Sequence, residues 1–164
     1  MNRPKITVRP AQAADLPLLC QATYQLPLLT RYGVTEAGLL RDLSSALQQG
    51  EGLLVANEND TAPLGFAWFL PVGTLAQGGY LRLIACAQEA QGQGIGKALL
   101  KEVEFQVAQA SRWLFLLVSD FNLAAQRFYQ REGYTHLGSL PDFARPGITE
   151  LLYGKNLLPS PLER

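Results

Sequence analysis

A glycine-rich heptapeptide, Gln91-Gly92-Gln93-Gly94-Ile95-Gly96-Lys97, sits where an apolar stretch gives way to an amphipathic one, and it limits what the rest of the chain can be. Before it, Tyr80 to Ala87 is mostly apolar and reads as a strand in the middle of a sheet. After it, Leu99, Leu100, Val103 and Val107 recur at i, i+1, i+4 and i+8, which is one face of a helix. The first turn of a helix presents N–H groups that the helix cannot satisfy, together with the positive end of its peptide dipoles. Glycines let the main chain approach an anion and adopt positive φ. Lys97 adds a cation at the rim. A strand, a flexible turn and a helix start in this order form an anion cradle.

Spacing narrows the choice of anion. A dinucleotide fingerprint, G-x-G-x-x-G, accepts Gly92 and Gly94 but needs a third glycine where Lys97 stands. A P-loop accepts Gly96-Lys97 but not Gln91 at its first glycine, nor Ala98 in place of the hydroxyl that would hold magnesium. The spacing that fits is Gln/Arg-x-x-Gly-x-Gly/Ala, met by Gln91, Gly94 and Gly96. A second segment, Asn122 to Tyr134, follows Asn-x-x-Ala-x-x-x-Tyr-x-x-x-Gly-Phe/Tyr at every fixed position. On these two segments the chain resembles the GNAT acetyltransferase superfamily.

The order of expected elements extends the resemblance over nearly the whole chain. Lys5 to Arg9 alternates as a short strand. Asp15 caps a helix with Pro17 in its first turn, and Tyr24 to Gly38 reads as a loop or broken helix. Leu39, Leu40, Leu43 and Leu47 predict a helix ended by Gly50. Gly52 to Asn57 and Leu64 to Leu70 read as a hairpin around the turn Asn57-Glu58-Asn59-Asp60, and Gly73 to Gly79 as a further connection. Beyond the long helix come a strand at Trp113 to Ser119 and a short helix at Ala124 to Arg131. Strands at Thr135 to Leu140 and Glu150 to Leu157 follow, separated by the loop Pro141 to Gly147. With no linker or repeat, residues 1–164 are expected to form one α/β (α+β) domain. The resemblance implies a mostly antiparallel central sheet of about six to seven strands flanked by about four helices.

Composition excludes several alternatives. Lys plus Arg equals Asp plus Glu at 14 each, which gives no support to a nucleic-acid or membrane-surface partner. No apolar run reaches the ~18 residues of a membrane span. Met1 to Val8 lacks the apolar core of a secretory leader. Cys20 and Cys86 make no disulfide framework, so a reducing, cytoplasmic setting is expected. His136, the one histidine, has no neighbouring ligands in sequence, so no metal is expected.

The resemblance implies an acyl-CoA-dependent N-acyltransferase with acetyl-CoA as donor. Its acceptor would be a primary amine of a small molecule, amino acid or peptide. A non-catalytic acyl-CoA-binding or sensor domain is the alternative. Gln91, Gly92, Gln93, Gly94, Ile95, Gly96 and Lys97 would hold the diphosphate. Main-chain groups at Ile84, Ala85 and Cys86 would bond the pantetheine, with the Cys86 N–H facing the developing oxyanion. Asn122 would contact the pantetheine arm, and Tyr129 would protonate the leaving thiolate. Asn122 and Tyr129 stand seven positions apart, about 700° of helical rotation, and so project within about 20° of one another. Tyr32, Asp142 and Phe143, with Arg145, would line the acceptor side.

Plainer readings stand beside these. The glycines also suit a tight strand-to-helix turn, Tyr129 a core position like Phe128, and Asn122 a helix N-cap. The general base is unassigned. The position where some relatives carry a glutamate is Leu117, and Tyr80 to Ala87 contains no carboxylate. The base is then absent, reached through water, or supplied by a loop, with Glu36, Asp120 and Asp142 as candidates. Exposed strand edges near the C terminus leave a homodimer open.

Overall fold

The computed structural model describes residues 5–59 and 61–158. Asp60 of the expected turn, and most of the leader reading at Met1 to Pro4, lie outside the described residues. Seven strands follow in hydrogen-bonded order β1-β2-β3-β4-β5-β7-β6. They are β1 (Ile6–Pro10), β2 (Gly52–Glu58), β3 (Gly65–Thr74), β4 (Gly78–Cys86), β5 (Trp113–Ser119), β6 (Thr135–Pro141) and β7 (Thr149–Asn156). The helices are α1 (Leu16–Thr23), α2 (Pro27–Arg31), α3 (Glu36–Gln48), α4 (Ile95–Ala108) and α5 (Leu123–Arg131). β1 with β2, β2 with β3, β5 with β7 and β6 with β7 pair antiparallel, whereas β4 and β5 pair parallel.

The chain gathers into two compact units. One takes the residues up to Phe69 and Leu83–Val103; the other takes Leu70–Arg82 and everything from Glu104 onward. Three elements, β3, β4 and α4, contribute to both.

In the first unit, Leu16, Leu19 and Cys20 of α1 and Leu39 and Leu43 of α3 bury against Leu53 and Val55 of β2 and Phe66 of β3. Alternation on β2 and β3 and the helical recurrence of leucines make one continuous apolar layer. Thr35 caps α3, its Oγ1 accepting from the Gly38 N–H at 3.0 Å, so this helix begins three residues before the end of the expected loop. Pro27 opens the short α2 inside the same stretch, where its missing N–H has no cost. Arg9 at the end of β1 grips Asp15 with two bonds of 2.8 Å, and the Gln12 N–H donates to the same carboxylate at 2.7 Å. Those hydrogen bonds, Arg9's foremost, hold the Asp15 carboxyl below its usual range although burial opposes them.

In the second unit, Leu114, Leu116 and Val118 of β5 and Tyr153 of β7 are buried. Glu104 joins the end of α4 to the last strands. It accepts from Lys155 Nζ at 2.8 Å and from the Tyr134 hydroxyl at 3.1 Å, while Lys155 also donates to the Glu132 carbonyl at 2.8 Å. Burial, with Glu104 beside it, pushes the Tyr134 phenol far above its usual range, so it stays a neutral donor.

β3 and β4 run further into the expected Gly73 to Gly79 connection than its composition suggests. They close through Thr74 to Gln77, with the Gln77 N–H donating to the Thr74 carbonyl at 3.3 Å. The two central residues, Leu75 and Ala76, have φ of 49° and 61°. This is the twist-compatible hairpin turn normally supplied by Asn-Gly, and L-residues without a local side-chain hydrogen bond pay about 1–2 kcal/mol each to adopt it. Turn chemistry alone could not have found it, because neither residue favours the conformation.

The double substitution Leu75→Asn, Ala76→Gly is expected to raise Tm by several degrees in thermal melting monitored by circular dichroism. Asp15→Asn is expected to lower Tm at pH 7. Because folding lowers the Asp15 pKa, its stabilisation is complete above the ordinary carboxylate pKa and is lost as pH falls through the lowered value. The Tm gap between the two proteins should therefore close in acid.

Candidate active site

The glycine loop is built as the sequence suggests. β4 ends at Cys86, a short 3-10 turn spans Gln88–Ala90, and α4 starts at Ile95. Gln91 to Gly94 are exposed, and Gly92 and Gly94 take φ of 77° and 88°. A side chain at Gly92 would meet no atom within 4 Å, so its glycine is required by conformation rather than crowding. The first bond of α4 runs from the Ala98 N–H to the Gly94 carbonyl at 3.0 Å. The N–H groups of Ile95 and Gly96 therefore precede the helix's own ladder, at an exposed loop, at the positive end of a 14-residue helix with no acid in its first turn. The side chain of Gln93 donates from Nε2 back to the Glu89 carbonyl at 2.9 Å and pins the loop.

What aims this helix is a residue the sequence reading passed over. Gly65 opens β3, and a Cβ there would lie 2.9 Å from the Ala85 carbonyl oxygen, 3.1 Å from Ile95 Cγ2 and 3.2 Å from Cys86 Sγ. Ile95 is 1% exposed. The missing side chain lets the first residue of α4 seat against the end of β4, next to Ile84, Ala85 and Cys86. The signal was available as a lone glycine inside an apolar strand, which marks close approach of another backbone. Burial pushes the Cys86 thiol up to about 11 and the Cys20 thiol likewise, so neither is a nucleophile near neutral pH.

Asn122 and Tyr129 lie in the second unit. Asn122 is the N-cap of α5, its Oδ1 accepting from the Ala125 N–H at 3.2 Å. It stands outside the helix with φ −88° and ψ 67°, so the rotation argument that aligned it with Tyr129 does not strictly apply. Tyr129, not Phe128, is the buried member of the pair. Its ring meets Phe128 edge-on at 5.1 Å and Tyr134 at 5.6 Å, and Tyr134 is itself fixed by Glu104. The phenol is thus held on a rigid aromatic stack.

The acceptor-side candidates fare differently. Tyr32 is the half-buried C-cap of α2, and Phe143 is 64% exposed. Asp142, at φ 54°, uses Oδ1 to accept from the Gly147 N–H at 2.7 Å, so it shapes the β6–β7 loop. Asp120 accepts from the Thr149 N–H at 3.2 Å, and Glu36 is exposed on α3. His136 is exposed on β6, its Nε2 2.8 Å from the Gly138 carbonyl. Among the described residues no group of three His, Cys, Asp or Glu side chains is placed to hold a metal, and no helix is long and apolar enough to cross a membrane. A buried carboxylate absent from the sequence reading is Glu150, which is 5% exposed.

The sequence matches the acetyltransferase (GNAT) family over residues 20–134. It is 36% identical over 77 residues to an uncharacterized N-acetyltransferase of Methanocaldococcus jannaschii, a match covering 45% of the chain and 49% of that relative, or about half its length. The fold is similar to that of a putative acetyltransferase of the GNAT family from Desulfovibrio desulfuricans, with a TM-score of 0.75, 23% identity, and 94% and 100% of the two chains covered. It is also similar to a putative acetyltransferase from Salmonella typhimurium solved with its cofactor acetyl-CoA, with a TM-score of 0.70, 17% identity, and 98% and 97% covered.

Gly65→Ala is expected to destabilise the protein by about 1–3 kcal/mol, since a carbonyl oxygen 2.9 Å from the new Cβ must move. Urea titration followed by tryptophan fluorescence measures this as a lowered midpoint with an unchanged m-value.

Proposed function

The chain belongs to the acetyltransferase (GNAT) family, and from that premise we propose that it is an acetyl-CoA-dependent N-acetyltransferase. It transfers acetyl directly, in a ternary complex, to a primary amine of a small molecule, amino acid or peptide. The observation that carries this reading is the glycine loop: an exposed, positive-φ main chain opening into α4, with room for a ligand at Gly92. Those features fit a diphosphate, whose charge complements the helix start.

Bound acetyl-CoA supplies an activated thioester. The amides of Gln91 to Lys97 grip the diphosphate and hold the donor by its far end, and the Lys97 ammonium adds charge at the rim. The main chain at Ile84, Ala85 and Cys86 aligns the pantetheine as an added strand would, and the Cys86 N–H faces the carbonyl oxygen where negative charge develops. Asn122 contacts the arm through its amide while its Oδ1 caps α5. The Tyr129 hydroxyl gives its proton to the departing sulfur. An ordered phenol suits this step, because it is neutral at physiological pH yet acidic enough to share a proton with a thiolate. Holding the reactants in line contributes more than covalent chemistry, in keeping with the half-buried Cys86, whose thiol is pushed up to about 11. A cytoplasmic location fits the two free cysteines.

Tyr129→Phe keeps the ring and its edge contacts. It is expected to bind acetyl-CoA within twofold of wild type by isothermal titration calorimetry and to lower kcat about 100-fold in a thiol-release assay over an amine panel. Absence of acetyl-CoA binding by the wild-type protein would end the acetyltransferase reading. Binding with unchanged turnover in the variant would remove Tyr129 from the proton path.

A further inference from the structure

The sheet of the second unit has one face that its own helices leave uncovered. The end of α4 lies on the opposite face, where Val107 meets the position of a Gly79 Cβ at 2.7 Å and Glu104 holds Lys155. α5 lies on that opposite face too, with Gln130 Nε2 donating to the Tyr153 hydroxyl at 3.2 Å. Gly79, Tyr153 and Lys155 all alternate to this side.

The other face carries Tyr80 of β4, paired with Phe115 of β5, which is paired in turn with Gly154 of β7. Phe115 lies flat against Gly78 and Gly154, where a Cβ would come within 2.4 Å and 3.0 Å of its ring. Trp113 stacks on that ring at 5.8 Å. This end of the face is filled with aromatic carbon.

At the other end of the same face stands Glu150. It is four residues from Gly154 along an unbroken register, so the period of two keeps it on Tyr80's side, and it pairs with Ser119 at the C-terminal end of β5. On its far side its partner is Leu140 of β6. Both Glu150 and Ser119 are buried, at 5% and 4% exposure. A strand position between Leu140 and Leu151 would be filled more stably by a hydrophobe, because burying a carboxylate is costly.

Its position says which chemistry. Ser119 is the last residue of a strand paired in parallel, and ligands gather at the carboxyl ends of parallel strands. The Ser119 carbonyl accepts from the Asn122 N–H at 3.0 Å and from Gln126 Nε2 at 3.2 Å. Glu150 is therefore one strand away from the turn that starts α5, the helix of Tyr129. Among the described residues, Tyr80 of β4 stands on its side, with Ser119 of β5 and Leu140 of β6 as its cross-strand partners. The phenol of Tyr80 is raised first by burial, while Arg82 lowers it and Glu150 raises it, so all three share one electrostatic neighbourhood.

We propose that Glu150 is the carboxylate that binds the acceptor's ammonium group and takes its first proton, the role for which β4 and Leu117 provide no acid. The inference rests on the acetyltransferase reading above. One proton passes from the ammonium to Glu150 and on to solvent, leaving a neutral amine. As the new C–N bond forms and the C–S bond breaks, Tyr129 gives its proton to sulfur and recovers one from the nitrogen. One proton is released overall.

The test uses the full chain as wild type, Glu150→Gln and Glu150→Asp. Acetyl-CoA binding is measured by calorimetry, and thiol release is measured against free amino acids, polyamines and short peptides from pH 6 to 10. The expected result is donor affinity within twofold across the three proteins and kcat/KM at pH 7 at least about 100-fold lower in Glu150→Gln. The remaining rate should climb with pH as the free amine accumulates, closing the gap to wild type at high pH, with partial recovery in Glu150→Asp. Wild-type kcat/KM in Glu150→Gln with an unchanged pH profile overturns the role of Glu150 alone. Donor binding without turnover of any amine overturns it together with the catalytic reading, and absence of donor binding overturns the acetyltransferase reading itself. If Glu150→Gln melts well below wild type, Glu150→Asp decides: full activity there with an unchanged pH profile also overturns the role.

Discussion

The seating of Ile95 against the end of β4 is the contact on which the donor side depends. A helix start binds an anion only if its amides are held in place before the ligand arrives, since a fraying first turn would spend binding energy on its own ordering. Ile95 is buried at that first turn, and Gly65 vacates the space it needs. Gly92 and Gly94 then bend the exposed loop through positive φ. Gln93 reinforces the shape through Glu89. The cradle is therefore a consequence of apolar packing one layer below it.

The second unit achieves rigidity by a different route. Its aromatic stack of Phe128, Tyr129 and Tyr134 ends on a charged anchor, Glu104 with Lys155, rather than on more carbon. A half-buried carboxylate that takes hydrogen bonds from both an ammonium and a phenol loses little by giving up part of its water. Tyr134 consequently cannot rotate away from Tyr129 without abandoning Glu104.

Much of this was legible because it is local. The strand-loop-helix at Gln91 to Lys97, the N-cap at Asn122 and the helix ended at Gly50 each follow from residues within one or two turns of one another. The misreadings share a cause. Tyr24 to Gly38, a loop or broken helix by its Pro27 and Gly33, holds α2 and the first turn of α3, because Pro27 opens one helix and Thr35 starts the next. The β3–β4 turn was hidden because Leu75 and Ala76 are held in a conformation their side chains disfavour. The projection of Asn122 onto the side of Tyr129 assumes helical dihedrals that the N-cap, outside the helix, does not have.

The sequence by itself determined the order of elements, the glycine-rich turn into α4, and the asparagine that starts the helix carrying Tyr129. Those features are written in short spacings, and local backbone physics reads them directly. Only the tertiary structure decided which carboxylate shares a sheet face with Tyr80, because Glu150 and β4 are 64 or more positions apart in the chain and are related only through the β4-β5-β7 pairing. Strand register, set by burial of the whole sheet face, has no signature within any one segment.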